Sequence, residues 1–353
     1  MPSHEISGLL LAAVLAAAGE SLAVTIAAVL GLQRGAVSGI MMAILLGIAV
    51  NNVVRLPESV RPGIRFSTQR VLRLGIVLLG IRLSLVEVGE IGARSLPVIV
   101  VTVAGAIAIV TWLAGRVGLT GRLGTLVAVG TSICGATAIV ATAPTIGARE
   151  DEVSYAVACI TLFGIAAMLA YPFAAHWMFA GDGLRAGMFL GTAVHETAQV
   201  AGAGLVYQQY FGDPKALDVA TVTKLVRNLG MLVVIPLMAV LHHRRASRAA
   251  GVAPRWTRMI PLFIVGFAAM SALRTIGDLG TRPFGVLDPA QWKFAVSAVR
   301  DAANGCLAVA MAAVGLGTSI RGLVSIGLKP LGLGLASALL VGVVSALLIG
   351  VLV

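Results

Sequence analysis

The sequence predicts an all-α, polytopic membrane protein with about ten to eleven transmembrane helices, and three observations support that class. Hydrophobic residues make up 58% of the 353 positions and charged residues only 12%, against roughly a quarter charged in an ordinary soluble domain. Mean hydropathy is +0.98. Five stretches (35–54, 96–115, 123–148, 153–175 and 330–353) carry no charge over 20 residues or more, the length that crosses a ~30 Å hydrocarbon core. So much apolar surface cannot be buried in one soluble core. Soluble enzymes, nucleic-acid binders and secreted scaffolds are therefore excluded as main readings.

Eleven hydrophobic segments follow in order, centred near residues 18, 44, 76, 105, 135, 164, 195, 228, 267, 305 and 341. The first has the small residues Ala16–Ala18 of a signal peptide but no basic n-region, so it is expected to be an uncleaved helix, broken near Gly19-Glu20. The second ends at Asn51-Asn52. The third holds Arg82 and Ser84, with Arg82 expected near the membrane face. The fourth is charge-free. The fifth, GTSICGATAIVATAP, sets Thr131, Ser132 and Thr137 among Gly130, Gly135 and Pro144. Glu150-Asp151-Glu152 places negative charge at the dipole-positive start of the sixth. Asp213-Pro214 and Asp288-Pro289 each pair an N-cap acceptor with a first-turn proline, and so start segments eight and ten. The connections leave no room for a second folded domain, so residues 1–353 read as one membrane domain with approximate halves 1–175 and 176–353. The longest polar piece is the basic loop 242–258.

The formal charge is +11. In a membrane protein, cationic loops facing the cytoplasm account for this better than nucleic acid does. By alternate loops, fifteen Lys/Arg fall on one side and seven on the other. This predicts a cytoplasmic N-terminus and a C-terminus on the opposite, periplasmic side. Cys134, Cys159 and Cys306 all lie in apolar segments and suggest no disulfide framework.

Candidate chemistry sits where polar groups interrupt these segments, because an ionised group at the bilayer centre costs at least about 2.5–3.5 kcal/mol and normally faces a polar interior. Segment seven holds Thr192, His195, Glu196 and Gln199 at helical spacings of three and four, flanked by Gly187, Gly191, Gly202 and Gly204. A polar cluster on pliable backbone is what a discontinuous transporter helix looks like, and a His–Glu pair can couple protons. The plain alternative is an interhelical hydrogen-bond network. Segment eight holds Lys224, Arg227 and Asn228 on one stripe, two to three turns into its helix, where they would attract an anion or neutralise Glu196 and Asp301. Snorkelling from the membrane edge is the alternative. Segment five offers hydroxyls and, if broken, the amides of a half-helix N-terminus as anion donors. Close helix packing by small residues is its alternative. Segment ten carries Arg300, Asp301 and Asn304, of which the first two can simply neutralise each other. No set of His and Cys is spaced for a metal, and HExxH, GxSxG, Walker A and CxxC motifs are all missing. Neither an enzyme nor a resident cofactor or metal is expected.

Two internal similarities bear on architecture. A shift of 235 residues aligns Gly80, Ser84, Ile91 and Gly92 with Gly315, Ser319, Ile326 and Gly327, and Arg94 with Lys329, as an inverted repeat would. A shift of 61 aligns Gly130-Thr131 with Gly191-Thr192.

Gly75–Ser84 (GIVLLGIRLS), Gly130–Ile139 (GTSICGATAI), His195–Val200 (HETAQV) and Lys224–Asn228 (KLVRN) resemble the YeiH-type UPF0324 family of bacterial inner-membrane proteins, in order along nearly the whole chain. That family is usually labelled a sulfate exporter and is grouped with the cation:proton antiporter/anion transporter superfamily. The resemblance implies an inverted-repeat core with crossed, discontinuous helices, like sodium/proton antiporters or bile-acid symporters. The expected function is secondary active transport of a small anion, such as a sulfur oxyanion or sulfonate, coupled to H⁺ or Na⁺. Expected substrate-binding residues are Lys224, Arg227, Asn228, Thr131, Ser132, Gly135, Thr192 and Gln199, with His195, Glu196 and Asp301 in ion coupling. The lipid bilayer and a second copy in a homodimer are the expected partners, and nucleic acid is not. A cation/proton antiporter and a non-transporting receptor or assembly subunit remain the alternatives.

Overall fold

The computed structural model describes residues 3–30, 37–54, 56–243, 262–279, 282–319 and 328–353. Helices account for nearly all of them, with no strand among the described residues. They are α1 (Ser3–Val29), α2 (Gly39–Val53), α3 (Arg61–Phe66), α4 (Leu72–Leu79), α5 (Leu85–Arg116), α6 (Gly121–Ser132), α7 (Ala136–Ile146), α8 (Glu150–Met178), α9 (Gly183–Ala193), α10 (Thr197–Phe211), α11 (Lys215–Leu229), α12 (Met231–His243), α13 (Leu262–Gly277), α14 (Pro289–Leu316) and α15 (Leu328–Leu352). Among the described residues six spans are long and apolar enough to cross a membrane: Ile6–Val29, Leu85–Arg116, Glu150–Met178, Lys215–His242, Pro289–Leu316 and Leu328–Leu352. The protein is a polytopic helical membrane protein.

Helix starts follow the sequence signals. Asp213 accepts the Lys215 amide at 2.8 Å and Asp288 the Ala290 amide at 2.7 Å, capping α11 and α14. Glu150, Asp151 and Glu152 occupy the first turn of α8, where Glu152 accepts the Arg149 amide. Asn51 and Asn52 close α2 by donating to the Thr318 carbonyl at 2.9 and 3.0 Å. Glu20 departs from expectation. It lies inside the unbroken α1, exposed, with its carboxylate against Gly39, because Gly19 serves close packing on α2 rather than a break.

The chain folds into two compact units, one from Met1–Ile91, Gly204–Asp218 and Leu262–Ile320, the other from Gly92–Ala203, Val219–Pro261 and Arg321–Val353. Neither corresponds to a sequence half: residues 1–175 and 176–353 each contribute to both, because packing partners are distant in sequence. In the first unit, α2 packs on α1 and α14 around Ala12, Leu15, Ala43, Ala312 and Leu316. Gly47 and Gly315 make the α2–α14 approach possible: a Cβ on Gly315 would lie 2.3 Å from the Ile44 carbonyl oxygen. In the second unit, α6, α7, α8 and α12 enclose Leu126, Val129, Ile133, Ile139, Ile160, Met231 and Ile235. There α15 lies along α8, with Gly334 against Phe163 and Tyr171 donating to the Ala338 carbonyl. Of the 235-residue similarity, Ile326 and Gly327 lie outside the described residues, as does the basic loop from residue 244 onward.

Candidate functional site

Both glycine-rich segments are interrupted, and the interruptions come together inside the second unit. The chain leaves α6 at Ser132, passes Ile133 (φ −121°, ψ −89°) and Cys134, and turns sharply at Gly135 (φ 66°, ψ −131°) into α7. Ile139 is thereby brought onto Gly130, nine residues earlier, where a Cβ would meet its side chain at 2.7 Å. Gly135 is required twice over, by its positive φ and because a Cβ there would stand 2.3 Å from Glu196 Cγ. In segment seven, α9 ends at Ala193, Val194 is extended, and α10 begins at Thr197, leaving His195 and Glu196 between half-helices. The 61-residue similarity thus marks equivalent positions, Gly130-Thr131 and Gly191-Thr192, just ahead of the two breaks.

A helix end leaves carbonyls without intrahelical partners and carries a partial negative charge. Two such ends meet here, and Lys224 and Arg227 of α11, both fully buried, neutralise them. Lys224 Nζ donates to the carbonyls of Ile133 (2.9 Å), Val194 (3.1 Å) and His195. Arg227 Nε donates to Ser132 O (2.6 Å), Nη1 to Thr192 O (2.7 Å) and Val194 O (3.1 Å), and Nη2 to Thr131 O. All three Lys224 donors are therefore used on backbone. The expectation that these cations face an anion is not what the structure shows: their hydrogen bonds tie the carbonyl ends of α6 and α9 together.

The opposite, amide-bearing ends of the breaks hold the remaining polar groups. Glu196 accepts the amide of Ala136, the first residue of α7, at 3.4 Å. Its own amide is capped by Gln199 Oε1 at 3.1 Å, and Gln199 Nε2 donates to the Thr161 carbonyl of α8 at 3.3 Å. Gly164 admits that side chain, since a Cβ there would lie 2.0 Å from Gln199 Oε1. Asn228 Nδ2 donates to the Thr197 hydroxyl at 3.2 Å. Four buried polar atoms around the breaks and along α11 have no partner among the described residues: Thr131 Oγ1, His195 Nε2, Asn228 Oδ1 and Thr223 Oγ1. Buried polar atoms are ordinarily satisfied, so these four mark where the polar accounting around the breaks is incomplete.

Other candidates take different places. The hydroxyls of Ser132 and Thr192 donate back to the Ala128 and Met188 carbonyls, and Thr192 also meets Ser345, so both serve helix structure in this conformation. Asp301 belongs to the first unit, exposed on α14, and forms no ion pair with Arg300 among the described residues. Arg82 is not at a membrane face. Its side chain is 5% exposed and its Nε lies 2.6 Å from Asp218 Oδ1, with Gln208 and the Pro214 carbonyl as further acceptors. Asp218 carries no local sequence signal, because its partner is 136 residues away. Among the described residues no group of His, Cys, Asp and Glu is placed to hold a metal ion.

The family described as "Conserved hypothetical protein 698" matches residues 7–334. A UPF0324 membrane protein of Corynebacterium glutamicum is 35% identical over 323 residues, covering 91% of this chain and 87% of its own. One from Pseudomonas aeruginosa is 32% identical, covering 92% and 88%, and the UPF0324 inner membrane protein YeiH of Salmonella typhi is 31% identical, covering 94% and 90%. No solved structure matches the chain. The chain belongs to the UPF0324 membrane protein family.

Proposed function

We propose that this UPF0324 member is a secondary active transporter of a small anion, with its substrate site at the amide-bearing ends of α7 and α10. The observation that carries the reading is the Glu196 carboxylate on the Ala136 amide, where an internal anion occupies a half-helix N-terminus. Charge accounting points the same way. Lys224 and Arg227 bring two positive charges against the single carboxylate of Glu196. The carbonyl ends of α6 and α9 offset part of this excess, and the amide ends of α7 and α10 restore it, so the cluster keeps a positive bias that favours an anion in place of the Glu196 charge.

Glu196 can also supply coupling. When a proton binds its carboxylate, the carboxyl releases the Ala136 amide and an incoming anion replaces the lost negative charge, so site charge is the same before and after loading. Of the unpartnered atoms, the Thr131 hydroxyl can donate to the anion, whereas Asn228 Oδ1 accepts only, and so does His195 Nε2 while Nδ1 donates to the Ala193 carbonyl. Gln199 fixes the start of α10, while Lys224 and Arg227 keep the two breaks together. Sulfur oxyanions and small sulfonates are the first substrates to test, with H⁺ as coupling ion and Na⁺ as the comparison.

The test is flux in proteoliposomes. Anion uptake driven by a proton gradient supports the reading, whereas Na⁺ or K⁺ flux against protons would indicate a cation antiporter, and no flux a receptor or assembly subunit. Glu196→Gln keeps shape and hydrogen bonding but cannot titrate, so it should bind anion and lose the pH dependence of flux. Wild-type pH dependence in that variant would remove Glu196 from coupling.

A further inference from the structure

Away from these breaks, the first unit contains a cavity of about 430 Å³ where the end of α13 meets the first turns of α14. Three cations line it, Arg274, Lys293 and Arg300, against one carboxylate, Asp278. Asp278 is fully engaged: Oδ1 accepts Trp292 Nε1 at 2.8 Å and Oδ2 accepts Arg274 Nε at 2.5 Å. This arrangement fixes the guanidinium of Arg274 by its Nε edge and leaves both terminal nitrogens without a protein acceptor among the described residues. Lys293, Ser297 and Arg300 are spaced four and three apart and share one face of α14, with Arg300 Nη2 donating to Ser297 Oγ at 3.3 Å. Lys293 forms no ion pair among the described residues. Trp292 is seated tightly because Gly277 has no side chain: a Cβ there would lie 2.3 Å from the indole. Two positive charges are thus left uncompensated in a preformed, tryptophan-walled cavity.

Its surroundings indicate what would fill it. The Pro289–Leu316 span places the first turns of α14 at a membrane edge, where tryptophan is enriched and basic pockets take lipid headgroups. Phe294 and Leu279, next to cavity residues in sequence, are 76% and 64% exposed, and Val286, between Pro283 and Pro289 of the lining, is 80% exposed, an apolar surface suited to acyl chains. Forked guanidinium nitrogens suit the paired oxygens of a phosphate, and Lys293 adds a point charge. We propose that this cavity binds the phosphate-bearing headgroup of an anionic membrane lipid.

The full-length protein in nanodiscs of phosphatidylcholine with phosphatidylglycerol should retain phosphatidylglycerol on native mass spectrometry and gain thermal stability over phosphatidylcholine alone. Lys293→Gln with Arg300→Gln, both at exposed positions, should cut that retention by about tenfold or more, the scale of lost charge-assisted hydrogen bonds. Lys293→Arg, which keeps the charge, should retain it. In a second arm, inorganic phosphate is added to detergent-solubilised protein. If it stabilises the wild type and not the double variant while lipid makes no difference, the phosphate chemistry stands and the source is soluble. Equal phosphatidylglycerol retention by wild type and double variant, with no response to phosphate, overturns the proposal.

Discussion

Arg82 and Arg227 are both arginines buried in an apolar helical protein, yet they are neutralised in different ways. In the first unit Arg82 meets a side-chain carboxylate, Asp218, at 2.6 Å, and Gln208 and the Pro214 carbonyl take further donors. In the second unit Arg227 and Lys224 meet only backbone carbonyls, freed because α6 and α9 stop in mid-segment. The first arrangement is closed, since charge and countercharge cancel in one pair. The second depends on the breaks remaining in place, with their amide ends met by Glu196 and Gln199 and several nearby polar atoms without partners among the described residues. One arrangement closes within a single ion pair, whereas the other depends on two interrupted helices staying together.

The largest effect should come from removing the cation that has no side-chain partner. Arg227→Ala orphans the carbonyls of Thr131, Ser132 and Thr192 and leaves Val194 to Lys224 alone, at roughly 1–3 kcal/mol for each buried group left unsatisfied. That loss is comparable with the whole stability of a typical domain. The variant should fail to accumulate or should unfold far below the wild type in a detergent thermal melt, and Arg227→Lys should not rescue it, because a single ammonium cannot span both helix ends. A variant of wild-type stability that only fails to bind anion would place the guanidinium on the substrate and remove the contrast.

The closed pair should behave differently. Arg82→Ala leaves Asp218 buried and unpaired, at about 3–5 kcal/mol. Arg82→Met combined with Asp218→Leu should restore most of that stability, as apolar replacement of buried ion pairs often does. The corresponding Lys224→Met with Glu196→Gln should not recover, because the acceptors of Lys224 are main-chain atoms that no substitution removes. Equal rescue in both double variants would show that the two regions are neutralised alike.

A smaller effect tests the break itself. Gly135→Ala places a Cβ 2.3 Å from Glu196 Cγ in a backbone conformation that costs roughly 1–3 kcal/mol for other residues. Stability should fall by more than that amount, because the contact with Glu196 adds to the strain, and anion flux should be lost. Glu196→Ala in the same chain should recover part of the stability by removing the clash but none of the flux. Full recovery of stability would assign the whole cost to the contact and none to the backbone.

The sequence carried the breaks more plainly than their consequences. Gly130, Gly135 and the His195-Glu196 pair interrupt apolar runs, and the structure is interrupted at those points. The depth of Lys224 and Arg227 was legible from their distance past Asp213-Pro214. What they would face was not, since a main-chain carbonyl freed by a helix break looks in sequence like any other. The spacing points these cations at a bound anion or at the carboxylates of Glu196 and Asp301, whereas their hydrogen bonds run to the carbonyl ends of α6 and α9. Asp218 escapes notice for a related reason: four residues past Pro214 and three past Lys215, it reads as a first-turn helix acid. Only the tertiary approach of Arg82 gives it a role.

The smallest effect lies outside the apolar segments, at Asp278 just past α13, and concerns pH. Partial burial disfavours the ionised carboxyl, but hydrogen bonds from Trp292 and Arg274 outweigh it and hold the group below its usual value. A carboxyl depressed in the folded state contributes stability above its unfolded pKa of about 3.9, and that contribution is lost as pH falls through the folded value. Asp278→Asn retains an acceptor for Trp292 but cannot ionise. Wild type should therefore melt slightly higher than Asp278→Asn near neutral pH, with the gap closing only below about pH 4, where the wild-type carboxyl takes up its proton. Because Asp278 is largely open to water, solvent screening keeps the difference small. A gap that persists unchanged into acid would show that Asp278 acts through packing of the Trp292 indole rather than through its charge on Arg274.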